Sequence, residues 1–127
     1  MPRRTAAQMV QDARAHIDNL TPDQVEAELK QGATLLDVRE DDECAKNGCI
    51  AGAVHVVRGL LEFYADPASP AHLAQLEPTH RIIVHCASGG RSALCAATLQ
   101  ELGFTNVAHL DGGMQAWCAA HKPVVHG

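Results

Sequence analysis

Residues 86–92 combine a nucleophilic thiol with a loop of the kind that holds an anion. The segment runs from Cys86 through Ala87, Ser88, Gly89, Gly90 and Arg91 to Ser92, and it directly follows RIIVH (81–85). That β-branched run is typical of a strand. Small side chains leave space around the thiol, and glycines permit the positive φ angles that turn successive backbone N–H groups inward. Such a loop favours a reactive thiolate at Cys86.

A helix predicted over residues 92–102 would add its free N–H groups and the positive end of its dipole to this loop. The dipole contributes only ~0.3–1 kcal/mol, whereas a charge-assisted hydrogen bond contributes ~1.5–3 kcal/mol. We therefore expect several N–H donors at the sulfur and no histidine base, although His85 is adjacent in sequence. The plain alternative is a buried, inert cysteine before a glycine turn. The combination of strand, small-residue loop, arginine and helix favours the reactive site.

Length and charge limit the class of protein. The chain has 127 residues, enough for one core and too few for two domains. Its net charge of −5 argues against nucleic acid or an anionic membrane as the main partner. No apolar run in the sequence approaches the length of a bilayer span. We expect a cytoplasmic protein that binds any anion locally, through a loop.

Cysteine and histidine patterns indicate neither disulfides nor a metal site. The five cysteines, at positions 44, 49, 86, 95 and 118, include no C-x-x-C pair. Eight histidines are scattered without ligand spacing. We therefore expect free thiols, no metal and no cofactor. A resolving thiol at Cys49 is less favoured than an ordinary free cysteine, and Cys95 and Cys118 are expected to pack in the interior.

Helix and strand signals alternate along the chain, which is typical of an α/β domain with a parallel sheet. Helices are predicted over 22–31, 92–102 and 113–120, with a shorter one from Ser69-Pro70 to Pro78. Strands are predicted over 34–38, 53–57, 81–85 and 106–110. We expect one domain over residues 17–127, with about five parallel strands and helices on both faces. Residues 1–16 would form an N-terminal helical extension, because Asp12 and the scarcity of Ser disfavour a targeting segment.

Three further charged residues are candidates at the carboxyl ends of strands, where ligands bind in such sheets. Asp37 and Arg39 are expected to form an ion pair, or to bind loop backbone, and so support the site. Arg58 could attract an anionic substrate, with Glu62 nearby. A solvated surface charge is the alternative for Arg58.

Four segments, in order along the chain, resemble the signatures of the rhodanese-like family. They are LLDVRE (35–40), GCIAGAVHV (48–56), CASGGRS (86–92) and LDGGMQAW (110–117). The resemblance covers roughly residues 17–125. It implies a single rhodanese-like domain and a sulfurtransferase that moves a sulfane sulfur through a persulfide on Cys86. The donor would be a small anion such as thiosulfate, and the acceptor a thiol, cyanide or a protein.

The resemblance also implies roles for the loop residues. Arg91 would brace the loop as a catalytic residue, and Ala87, Ser88, Gly89, Gly90 and Ser92 would bind the donor, together with Arg58. Two departures leave the donor open. Cys49 stands where the family usually has His, and the loop interior lacks the basic residues of some thiosulfate-using members. Ser88 resembles the residue at this loop position in the mercaptopyruvate-using branch of the family. Arg91 does not resemble its counterpart in that branch.

Other activities remain as alternatives. Related phosphatases with this fold place five residues between Cys and Arg, whereas four lie between Cys86 and Arg91. A smaller loop suits one sulfur atom better than a phosphoryl group, so a phosphatase or arsenate reductase is disfavoured. A persulfide carrier or protein-binding module with little turnover of small donors would need the same Cys86.

Overall fold

Short apolar runs form a parallel sheet at the centre of the molecule. The computed structural model describes residues 3–126, so positions 1, 2 and 127 of the predicted extension and domain lie outside the described residues. Its strands are β1 (Asp18–Leu20), β2 (Thr34–Asp37), β3 (Val54–His55), β4 (Ile82–His85) and β5 (Val107–Leu110). Their order is β1-β5-β4-β2-β3, and every pairing between neighbours is parallel. Cys86 therefore directly follows the carboxyl end of the central strand, β4.

Helices connect the strands and cover both faces of the sheet. Two of them begin with a capping box, from Thr5 to Gln8 and from Thr21 to Gln24, which satisfies N–H groups at the helix start. The helices are α1 (Ala6–Arg14), α2 (Pro22–Lys30), α3 (Asp41–Asn47), α4 (Leu61–Ala65), α5 (Gly90–Glu101) and α6 (Gly113–Ala119), with a 3₁₀ turn at Arg58–Leu60. Among the described residues, no helix is long and apolar enough to cross a membrane.

The central strands divide the apolar interior into two layers. Ile82 and Val84 of β4 face a cluster that includes Leu99 of α5, whereas Ile83 between them faces a cluster with Val25 of α2 and Trp117 of α6. Because side chains alternate along a strand, one apolar run supplies both layers. The α/β class, the parallel sheet and the helices on both faces are confirmed.

The helix predicted from Ser69 to Pro78 is wrong, since those residues form successive turns. The Ser69 hydroxyl accepts the N–H of Ala71, a local turn that competes with a helix. The helix of this region is instead α4, before the turns.

Helix α3 and strand β1, like α4, were not predicted, and the strand predicted over 53–57 was too long. Helix α3 has no buried residue, so it shows no apolar periodicity. Strand β1 has only three residues, and only Val54–His55 of the predicted strand 53–57 pairs in the sheet. Helix α1 lies within the predicted extension and packs against α5. The boundary at residue 17 stays a prediction.

Two histidines are fully buried in the sheet, one in each of two neighbouring strands. Burial lowers the pKa of His85 to about 4. Burial, together with the charge of Arg14, lowers the pKa of His109 to about 4 as well. Both side chains are therefore neutral in the native protein at neutral pH, whereas in the unfolded chain they would titrate near 6.5.

We predict that the free energy of unfolding falls as the pH is lowered from 6.5 to 5. The unfolded chain takes up protons in this range and the native protein does not, which costs about 2 kcal/mol per histidine. Urea unfolding followed by Trp117 fluorescence at pH 7, 6 and 5 measures the effect. The pH range from 6.5 to 5 lies above the range in which carboxylates with a lowered pKa become protonated and stop stabilising the native protein. An unfolding free energy that is constant from pH 7 to 5 contradicts the prediction.

Candidate active site

The thiol of Cys86 lies in a cradle of backbone N–H groups. Its Sγ accepts hydrogen bonds from Gly89 N at 3.2 Å and from Ser92 N at 3.3 Å. Gly89 has a φ of +108°, the left-handed conformation that turns its N–H toward the sulfur, and α5 begins at the next residue. The side chain of Cys86 is only 1% exposed. The loop therefore directs two N–H donors at a sulfur that water scarcely reaches.

The first turn of α6 forms the floor of this loop. Met114 N donates to Cys86 O at 2.8 Å, and Gln115 N donates to Ala87 O at 3.0 Å. Gly113 has a φ of +57°, and a Cβ atom there would lie 2.4 Å from Cys86 O. Only glycine allows this approach, so the glycine pair at 112–113 is needed to seat the loop.

The side chain of Arg91 connects α5 to α3. Its guanidinium donates to both carboxylate oxygens of Glu43, Nη1 to Oε1 at 2.6 Å and Nη2 to Oε2 at 2.8 Å. These bonds lower the pKa of Glu43 to about 2. The arrangement links the first turn of α5 to the first turn of α3, beside the loop.

Asp37 and Arg39 form an ion pair, and each side chain is only 1% exposed. Arg39 donates from Nη2 to Asp37 Oδ2 at 2.7 Å and to Gly48 O at 3.0 Å. Burial opposes ionisation of Asp37, but the hydrogen bonds from Arg39 outweigh it and lower the pKa of Asp37. The pair fixes the segments that follow β2 and α3.

Cys44 and His55 extend this buried pair toward the surface. The Sγ of Cys44 lies 3.6 Å from Asp37 Oδ2 and 3.6 Å from His55 Nε2, which donates to Arg39 O at 2.6 Å. Asp37, Cys44 and His55 each offer a ligand atom that could hold a metal ion. However, the guanidinium of Arg39 occupies the same carboxylate, and burial raises the pKa of Cys44 to about 12. The contacts fit a neutral thiol that donates to Asp37.

The remaining predicted site residues lie in different environments around the loop of Cys86. Ser88 is exposed at the outer surface of the loop, and Ala87 and Gly90 are half-buried. Arg58 forms an ion pair with Glu62 and lines a groove of about 570 Å³ between α1 and α5, not the cradle of Cys86. A role for Arg58 in donor binding therefore stays a prediction.

The other cysteines have separate environments. The backbone of Cys49 pairs with Val125, joining this position to the C-terminal segment. Cys95 is buried, as expected. The interior packing predicted for Cys118 is wrong, because its side chain is exposed. Trp117 faces the core, and the next residue of a helix is rotated by about 100° away from it.

Two residues that the sequence analysis did not single out bind the loop and its helix. Glu43 belongs to DDE (41–43), an acidic first turn that is typical of a helix start and could have indicated α3. His109 is the polar residue in the apolar strand VAHL, and its Nδ1 lies 2.8 Å from Ser92 Oγ. A polar side chain in a buried strand signals a partner nearby.

The sheet order, the thiol at the end of the central strand and the N–H cradle define an α/β protein with a buried cysteine in a loop of backbone N–H donors. The family model for the rhodanese-like domain matches residues 21–120. The chain therefore belongs to the rhodanese-like family.

Relatives and solved structures agree with this assignment. Thiosulfate sulfurtransferase GlpE of Stutzerimonas stutzeri is 34% identical over 98 residues, covering 77% of this chain and 82% of that protein. A solved structure from Rhodopseudomonas palustris, described as a protein of unknown function and possible tyrosine phosphatase, has a TM-score of 0.90 and 35% identity, covering 98% of this chain and 99% of that one. Thiosulfate sulfurtransferase from Pseudomonas aeruginosa has a TM-score of 0.76 and 29% identity, covering 96% of this chain and 22% of that one. The similarity supports sulfurtransferase activity.

We predict that Gly113→Ala displaces the loop and destabilises the protein more than Gly52→Ala does. Both glycines have positive φ, so both substitutions carry the same kind of backbone strain. Only at Gly113 would the new Cβ meet backbone, whereas the space beside Gly52 is open. We expect Gly113→Ala to cost about 1–3 kcal/mol more in urea unfolding, a typical penalty for overpacking. Equal losses in the two variants would contradict the close approach.

Proposed function

We propose that this protein transfers a sulfane sulfur from a small anionic donor such as thiosulfate to a thiophilic acceptor through a persulfide on Cys86. The observation that carries the proposal is the pair of N–H groups on Cys86 Sγ, from Gly89 and Ser92. They stabilise negative charge on sulfur without a neighbouring base. The similarity to thiosulfate sulfurtransferases supports this choice of cargo.

The two half-reactions balance without an outside oxidant or reductant. The Cys86 thiolate attacks the outer sulfur of thiosulfate, the S–S bond of the donor breaks, and sulfite leaves with the bonding electrons. The negative charge is then on the terminal sulfur of the persulfide. An acceptor such as cyanide attacks that sulfur, leaves as thiocyanate, and restores the thiolate. The N–H groups meet an anionic sulfur at each stage. Because sulfite leaves before the acceptor attacks the persulfide, ping-pong kinetics are expected.

The position of Arg91 disfavours the phosphatase alternative. An oxyanion hydrolase needs cationic or N–H groups on a transferred phosphoryl group. Here the guanidinium of Arg91 is bound to both oxygens of Glu43. The loop between Cys86 and Arg91 holds small residues only. A carrier that accepts sulfur but turns over few small donors remains the second candidate, since it uses the same persulfide.

The proposal also includes the sulfur acceptor and the cellular compartment of the protein. The cysteines at 44, 49, 86, 95 and 118 are free thiols in the structure, which suits a reducing compartment such as the cytoplasm. The acceptor is a thiol, cyanide or a protein. Arg58 and the exposed Ser88 are the candidates for contact with the donor outside the cradle.

We predict that thiosulfate adds one sulfur atom to the wild-type protein and none to Cys86→Ser. Intact-mass spectrometry after incubation measures the gain directly. Cys95→Ser is the matched control, because that thiol is also buried but lies within α5. We expect Cys95→Ser to gain sulfur like the wild type. Sulfur uptake by Cys86→Ser at the wild-type level would refute the assignment of the nucleophile.

The number of thiocyanate molecules formed from cyanide distinguishes an enzyme from a sulfur carrier. Many thiocyanate molecules per protein support the enzyme, whereas a single transfer supports the carrier. Hydrolysis of an aryl phosphate that is lost in Cys86→Ser would favour the phosphatase instead.

We predict that Arg91→Met and Glu43→Gln lower the rate of sulfur uptake by similar factors of up to about fivefold, the effect of one partly exposed ion pair. Each substitution removes the same tie between α5 and α3. The double variant should lose no more than either single variant. If Arg91 instead bound the donor, Arg91→Met would lose far more than Glu43→Gln.

A further inference from the structure

A chain of side-chain hydrogen bonds connects the N-terminal segment to the cradle of Cys86. His109 of β5 is its central member: Nδ1 lies 2.8 Å from Ser92 Oγ, and Nε2 lies 2.7 Å from Asn19 Oδ1. Ser92 is also one of the two N–H donors to Cys86 Sγ. The other donor, Gly89, lies beside the same ring, since a Cβ built on Gly89 would be 3.7 Å from His109 Cε1.

The partners of Asn19 define which ring nitrogen carries the proton. The amide nitrogen of Asn19 donates to Arg14 O at 2.9 Å and to Ile17 O at 3.2 Å. Its Oδ1 is therefore the acceptor, and His109 Nε2 donates to it at 2.7 Å, a much shorter contact than the 3.5 Å between Nε2 and Arg14 Nη1. Because burial keeps His109 neutral at neutral pH, Nδ1 is an acceptor facing Ser92 Oγ, whose single hydrogen also lies within reach of Gly89 O at 3.1 Å.

A second tie runs from the same helix to the floor of the loop. Arg14, the last residue of α1, binds Asp111 through both nitrogens, at 2.7 and 3.0 Å. Asp111 immediately precedes the glycine pair that seats the loop, and its N–H donates to Leu20 O at 2.8 Å. The N-terminal segment is thus connected to the cradle twice: through His109 to Ser92, and through Asp111 to the first turn of α6.

We propose that His109 is a positioning residue that, with Asn19 and Arg14, holds the N–H groups of Gly89 and Ser92 on the sulfur of Cys86. The N-terminal helix is then part of the site, although Arg14 and Asn19 precede residues 21–120, which the family model matches. The catalytic consequence rests on the proposed function. The positioning itself is measurable without it.

Amide hydrogen exchange tests the positioning directly. The variants are Ser92→Ala, His109→Leu and Arg14→Gln. Exchange at Gly89 and Ser92, or at the substituted residue 92, is compared with exchange at Leu36, a fully buried residue of β2. We expect exchange at the cradle to rise about 5- to 10-fold relative to Leu36, the effect of losing one hydrogen bond. A purely structural role would raise all three rates by one common factor, and that result would overturn the inference.

Matched controls and a conservative variant complete the design. Thr98→Val removes a hydroxyl from the same helix, since Thr98 Oγ1 binds only Leu94 O within its own turn among the described residues. Arg4→Gln removes an arginine that binds Asp12 rather than β5. Both controls should leave exchange at the cradle unchanged. His109→Asn, whose amide reaches the position of Nδ1, should restore most of the protection at Ser92 that His109→Leu loses.

Sulfur uptake from thiosulfate, followed by quenched intact-mass measurement, provides the second readout. In His109→Leu we expect uptake to slow about 10- to 100-fold, the effect of one charge-assisted hydrogen bond, with partial recovery in His109→Asn. Normal uptake together with normal cradle exchange would overturn the inference. A wild-type protein that takes up no sulfur would refute the proposed function, while altered exchange in the variants would still support the positioning.

Discussion

A negatively charged sulfur that is almost completely buried needs hydrogen-bond donors, and here the backbone supplies them. Gly89 and Ser92 donate to Cys86 Sγ from the turn that starts α5. Backbone donors are useful only while the turn keeps its shape, because each N–H is fixed by the dihedral angles around it. The stability of the turn therefore decides the chemistry of the thiol, and much of the surrounding structure serves to hold it.

The turn is fixed from three directions. Below it, Met114 N binds the carbonyl of Cys86, and Gly113 makes that approach sterically allowed. On one flank, Arg91 joins the first turn of α5 to Glu43. On the other, His109 binds the hydroxyl of Ser92. The side chains of the loop interior, in contrast, contribute little besides small size, while the backbone of Gly89 supplies one of the two donors.

The sequence predicted the parts of this arrangement that are local. The strand before Cys86, the glycine turn and the helix after it are contiguous, so residue types alone indicate them. The contacts of Arg91 and Ser92 were not predictable in the same way, because their partners lie 48 and 17 residues away and meet them only in the folded sheet. Helix α3 was missed because it buries no residue, and Cys118 because its placement depends on the rotation of one helix.

Paired charges around the site bear on how an acidic protein could hold the thiolate that the proposed function requires. The arginines near the loop are bound to carboxylates: Arg91 to Glu43, Arg39 to Asp37 and Arg14 to Asp111. Each pair is close to neutral at a distance, so the field at Cys86 comes mainly from oriented N–H dipoles over a few ångströms. Dipoles at that range stabilise charge on a single sulfur well. A phosphoryl group spreads charge over several oxygens and needs more donors, and it would have to separate Arg91 from Glu43 to recruit a cation. The same pairing that holds the loop in shape therefore suits the sulfur transfer proposed for this protein.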